Sequence, residues 1–135
     1  MSYGMAAALQ AAVYDRLAGD AALAALVGGA VHDAVPPGEG PATFVLIGPE
    51  EVRDASDASG AGAEHRLTVS VVSRKAGFAV AKAAAAAVSD ALVGAALTLA
   101  RGRLVGLWFV SARARREAAG AVRRIDLVFR ARVEG

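Results

Sequence analysis

The sequence predicts an α+β domain: an antiparallel sheet of about five strands with two main helices packed on one face, in the order α-α-β-β-β-α-β-β. Three observations carry this. The segment VRRIDLVFRARV, residues 122–133, alternates at period two, with Ile125, Leu127, Phe129, Ala131 and Val133 on one side. Arg124, Asp126, Arg130 and Arg132 fall on the other, with Val128 the one apolar residue among them. Second, Phe78, Ala81, Ala85, Val88 and Leu92 follow the three-four spacing of an amphipathic helix over residues 77–93. Third, runs of strands with hairpin connections stand on both sides of that helix. With no internal repeat and no linker, residues 1–135 read as one domain.

The elements follow in order. Residues 5–17 form a first helix, because Met5, Leu9, Val13 and Leu17 repeat at four-residue steps. Gly19 and Asp20 break it, Asp20 caps a short helix over 21–27, and Gly28-Gly29 ends that. Residues 30–35 read as a short strand, followed by a rigid turn at Pro36-Pro37-Gly38 and Gly40-Pro41. Residues 43–47 are nearly all apolar and read as a covered strand that resumes over 50–54 after a bend or bulge at Gly48-Pro49. Residues 55–63, ASDASGAGA, lack any large apolar side chain and read as a mobile hairpin tip. Residues 64–74 form a strand with Leu67, Val69 and Val71 on one face and Arg66, Thr68, Ser70 and Arg74 on the other. Alanines 83–87 keep the long helix thin enough to lie close on a sheet, and Gly94 stops it. Residues 103–115 form a strand with apolar residues on both faces, and a turn around Gly120 leads into the last strand.

Composition narrows the function. The net charge of +2 is small, so the pI near 9.5 overstates how basic the chain is. Absence of cysteine excludes disulfides, thiolate metal sites and a Cys nucleophile. The N-terminal segment lacks a basic start, and Gln10, Tyr14 and Asp15 interrupt its apolar stretch, which argues against a signal peptide. No uncharged apolar window reaches the length of a membrane span. Synthesis in the bacterial cytoplasm, with no membrane partner, is the expectation.

No motif points to catalysis, a cofactor or a metal. His32 lies beside Asp33 and His65 beside Glu64, and neighbours on a strand point to opposite faces. The glycines of residues 27–40 end a helix instead of opening one after a strand, which is the wrong context for a phosphate cradle. The acidic run Glu50, Glu51, Asp54 and Asp57 lacks the spacing of a calcium loop. It reads either as a solvated loop entry or as one half of a head-to-tail contact between subunits.

The arginines gather late in the chain, and Arg66, Arg74, Arg124, Arg130 and Arg132 share the face away from the helices. Nucleic-acid binding is one reading of them. Single-strand readers interleave exposed aromatics, however, and here Trp108, Phe109 and Phe129 sit in apolar runs, so the exposed positions are expected to be Arg, Ser and Thr. An ordinary charged sheet face is an equal alternative, and Trp108 reads as core or interface filling. The candidate contact residues are Arg66, Arg74, Arg113, Arg115, Arg124, Arg130 and Arg132, with Glu50, Glu51 and Asp54. Ala55, Ser56, Asp57, Ser59, Gly60 and Gly62 form the candidate docking loop.

The ordered set of segments has a recognisable profile. It comprises DAALAALV from Asp20, AVHD from Ala30, VPP from Val35, FVLIG from Phe44, LTVSVVSR from Leu67 ahead of an alanine-rich helix, RLVGL from Arg103, and the Arg-studded hairpin ending in FRA from Phe129. In this the chain resembles the tail-completion, or tail-terminator, proteins of long-tailed phages, and within them the version carried by phage-derived gene transfer agents. The resemblance implies a subunit of a hexameric ring, a component of the phage-like particle. That ring caps the tail tube, ends its growth and joins it to the neck. It further implies that the partners are further copies of the chain, the tail tube protein and a neck or stopper protein, with DNA only in transit through the lumen. It implies no enzymatic activity and no cofactor. Two alternatives are a nucleic-acid-binding module using the arginine face and another neck ring, such as a head-completion or stopper protein.

Overall fold

The structure, a computed structural model, describes residues 2–35 and 40–135. The turn expected at Pro36-Pro37-Gly38 lies outside the described residues. After a 3-10 turn at Ser2–Met5 the chain forms α1 (Ala6–Ala18), α2 (Ala21–Val27) and β1 (Val31–His32). The long strands β2 (Thr43–Asp54) and β3 (Gly62–Ser73) follow, then α3 (Ala79–Leu92), β4 (Arg103–Glu117) and β5 (Val122–Glu134). The α+β class and the element order agree with the sequence reading.

The local signals act as the sequence implies. Met5, Leu9, Val13 and Leu17 are all buried along one stripe of the first helix. The Asp20 side chain accepts a hydrogen bond from the Leu23 amide at 2.9 Å, capping α2, and Gly28 ends that helix in the left-handed region at φ 61°. The buried side of α3 is nearly all small: Ala81, Ala84, Ala85, Ala87, Val88, Ala91 and Leu92. Such a helix can lie close to the sheet. Arg16 Nε donates to the Ala91 carbonyl at 2.9 Å, tying α1 to the last turn of α3.

The strands lie in the order β1-β2-β3-β5-β4. All neighbours are antiparallel except β1, which pairs parallel with Val45 and Leu46 of β2. The sheet is therefore mixed, a correction to the wholly antiparallel expectation. The connection between β1 and β2 is long enough to return the chain to the same end of the sheet, which a tight hairpin would not allow. The expected strand over 30–35 shrinks to two residues.

On β5 the alternation holds along the whole strand: Ile125, Leu127, Phe129, Ala131 and Val133 are buried under the helices. Phe129 has no exposed surface and is the largest of the fully buried side chains. Strand β4, at the sheet edge, differs from expectation. Only Leu107 is buried in it, whereas Val105, Trp108, Phe109 and Val110 are 39–46% exposed. Register shifts between Leu104 and Gly106 and between Phe109 and Ser111 leave Val105 and Val110 as bulge residues. The exposed positions of this strand are thus not confined to Arg and Ser, a correction to the sequence reading.

Candidate docking surfaces

The sheet face away from the helices is built by cross-strand rows. Glu51 of β2 stands opposite Arg66 of β3, which stands opposite Arg130 of β5, which stands opposite Trp108 of β4. In the next rows Arg53 aligns with Glu64 and Arg132, and Ser70 aligns with Asp126 and Arg113. Opposite charges set directly across from one another attract, and here they alternate across the sheet. The face is a lattice of ion pairs, so its positive potential is largely offset.

The individual partners bear this out. Arg66 reaches Glu64 at 3.4 Å, Arg53 reaches Glu51 at 3.3 Å, and Arg103 reaches Glu134 at 2.9 Å. Arg124 donates to Asp126 at 2.9 Å, and Arg115 lies 2.9 Å from Glu117 and 3.4 Å from Asp126. Ser70 donates to the same Asp126 carboxylate. Partial burial pulls the Asp126 carboxyl up, but the hydrogen bonds from Ser70 and Arg124 and the charges of Arg124 and Arg115 outweigh it. The group ends below the usual carboxylate range. Arg113 lines a shallow depression of about 480 Å³ beside Arg115, Arg124 and Asp126.

Arg130 lies over the Trp108 ring, 4.8 Å from its centre. The indole is packed against Gly106, where an added Cβ would overlap it. One aromatic therefore does lie on the arginine face, but a protein cation covers it. Phe109 points to the opposite face and meets Phe129 edge-on at 6.1 Å.

The acidic run divides. The register shift between Ile47 and Glu50 inserts one residue into β2 and reverses its phase. Val45 and Ile47 face the core before it; afterwards Glu50 lies on the helix side and Glu51 on the arginine face. Glu50 Oε2 is 3.0 Å from Nδ1 of the fully buried His65, whose Nε2 has no partner among the described residues. Sequence reasoning missed this pair, because the two residues meet only through the bulge. Among the described residues no three metal-ligating side chains come together.

The tip between β2 and β3 spans residues 55–61, two residues shorter than expected. Asp57 accepts hydrogen bonds from the Ser59 amide at 2.9 Å and hydroxyl at 2.7 Å, which hold its carboxyl below the usual range. Ser56 donates to Asp54 and accepts from the Gly62 amide, and Asp57 and Gly60 bridge. Arg132 donates to the Ala55 carbonyl at 2.8 Å, so this arginine braces the tip. Arg74, past the end of β3, donates to the Gly40 carbonyl at 3.1 Å.

Two grooves flank the sheet. One, of about 330 Å³, runs between α3 and β4 with Phe109, Ala112 and Ala114 on its strand wall. The other, of about 710 Å³, lies between α1 and β1, floored by Ala7, Ala11 and Val31 with Asp15 and Asp33 at its border.

Fold and surfaces define a small one-sheet subunit whose distinctive chemistry lies on broad faces and edges. The family model for tail completion protein gp17 matches residues 11–134, and the chain belongs to that family. Among solved structures it is similar to a chain in the virion of a native gene transfer agent particle. The two share 68% identity and a TM-score of 0.94, over 99% of this chain and all of that one. A search of curated proteins gives no significant match.

Proposed function

We propose that this tail-completion protein is a structural, non-enzymatic component of a phage-like particle. It assembles with copies of itself into a hexameric ring that caps the finished tail tube, ends its growth and joins it to the neck or stopper protein. DNA passes through the lumen in transit. The observation that carries this reading is the end-to-end likeness, at 68% identity, to a chain of a gene transfer agent virion, alongside membership of a tail-completion family. The surfaces support it. A lumen for DNA in transit needs no base readout and only tolerable electrostatics, and the arginine face is neutralised row by row. That neutralisation also disfavours the nucleic-acid module, which predicts binding at about 50 mM salt with a steep salt slope.

The tip residues Ala55, Ser56, Asp57, Ser59, Gly60 and Gly62 extend beyond the paired strands and supply the element that meets the tube. Arg66, Arg113, Arg115 and Arg130, with Glu51, supply subunit or tube contacts. Removal of the gene is expected to yield particles with uncapped tails of irregular length. Normal-length, capped tails made without the protein would refute the reading. Arg130→Glu is expected to impair tail assembly more than it destabilises the monomer.

A further inference from the structure

We propose that neighbouring copies join head to tail by seating the β4 edge of one copy against the groove between α1 and β1 of the next; this rests on the ring reading above. The argument begins with how charge is distributed. Residues 1–65 contain nine Asp and Glu against two Arg, whereas residues 66–135 contain thirteen Lys and Arg against four Asp and Glu. The strand order turns this asymmetry into geometry. Strands β1 and β2, from the acidic half, form one side of the sheet, and β5 and β4, from the basic half, form the other. The domain has an acidic flank and a basic flank on opposite sides.

Each flank also exposes apolar surface. On the basic flank Val105, Trp108, Phe109 and Val110 are exposed on a single edge strand that also carries Arg113, Arg115 and Arg116. On the acidic flank Tyr14 and Val35 are exposed at the α1–β1 groove, between Asp15 and Asp33. A basic apolar ridge and an acidic apolar groove are complementary in charge and in shape, and they are different surfaces. A contact between them is heterologous and closes into a ring when the rotation permits. A like-to-like contact at either flank would oppose equal charges. The two bulges interrupt the free side of β4, which discourages continuation of the sheet into a second copy, so the contact is made by side chains.

The chain has no cysteine, so introduced thiols report cleanly. Particles carrying Val110→Cys together with Ala11→Cys, treated with a short bismaleimide, are expected to give a ladder of cross-linked copies, while either single variant gives none. Val105→Cys with Gln10→Cys is an independent pair should the first disturb folding. A dimer from Val110→Cys alone, or its capture of a different tail protein, overturns the proposal. Intact rings in which neither pair cross-links overturn the edge assignment and leave the ring reading standing. Capped, normal tails in particles lacking the protein overturn the ring reading itself.

Discussion

His65 donates a hydrogen bond from Nδ1 to Oε2 of Glu50 across 3.0 Å, on the helix side of the sheet, while the adjacent Glu51 lies on the opposite face. The imidazole is fully buried, so loss of its acceptor leaves an unsatisfied polar group. Glu50→Ala is expected to cost about 1–3 kcal/mol. Glu51→Ala, on the exposed side, should stay within about 0.5 kcal/mol. Urea denaturation of the two variants measures the contrast, and equal losses would contradict the phase reversal in β2.

Trp108 is the sole tryptophan, so its fluorescence reports the arginine face alone. Gly106→Ala forces the indole off its seat. The expected result is a red-shifted emission and a loss of about 1–3 kcal/mol. Arg130→Ala uncovers the ring with a smaller loss, about 0.5–1 kcal/mol. Unchanged spectra in both variants would show that the ring is not held as described.

Asp126 has a depressed pKa in the folded state, so its contribution is present above the unfolded value near 3.9 and fades as pH falls through the folded value. Asp126→Asn should therefore be less stable than the parent at pH 7. The difference should shrink as pH drops below about 4. Thermal melts at several pH values test this, and a gap independent of pH would contradict it.

Phe129 and Phe109 meet edge-on but differ in burial, 0% against 46% exposed. Phe129→Ala is expected to cost about 3–5 kcal/mol, enough to threaten folding. Phe109→Ala should cost far less in the monomer and show itself in assembly. Denaturation paired with particle counts separates the two effects.

Much of this fold was legible because its signals are local. The stripe from Met5 to Leu17, the Asp20 cap, Gly28 and the alternation in β5 each follow from the residues themselves. The parallel pairing of β1 was not legible, since strand direction depends on how a long connection returns. The exposure of Trp108 and Phe109 was hidden for two reasons. Bulges at Val105 and Val110 shift which residues face in, and placement at the sheet edge removes a neighbour. The arginines were assigned to the correct face, but their carboxylate partners come from neighbouring strands. Arg66 with Glu64 was within reach of a sequence reading; Arg115 with Asp126 required the β4–β5 register.

The inserted residue in β2 gives that strand something like a reading frame. Removing one residue at Gly48 or Pro49 would restore simple alternation and turn 50–54 inside out, with Glu51 and Arg53 driven under the helices. Substitutions around this point are separate local events, but a change in length transposes the whole segment. Among relatives of this chain, variation here should come as exchanges of residue type, and gains or losses of residues should collect beyond Asp54, at the hairpin tip.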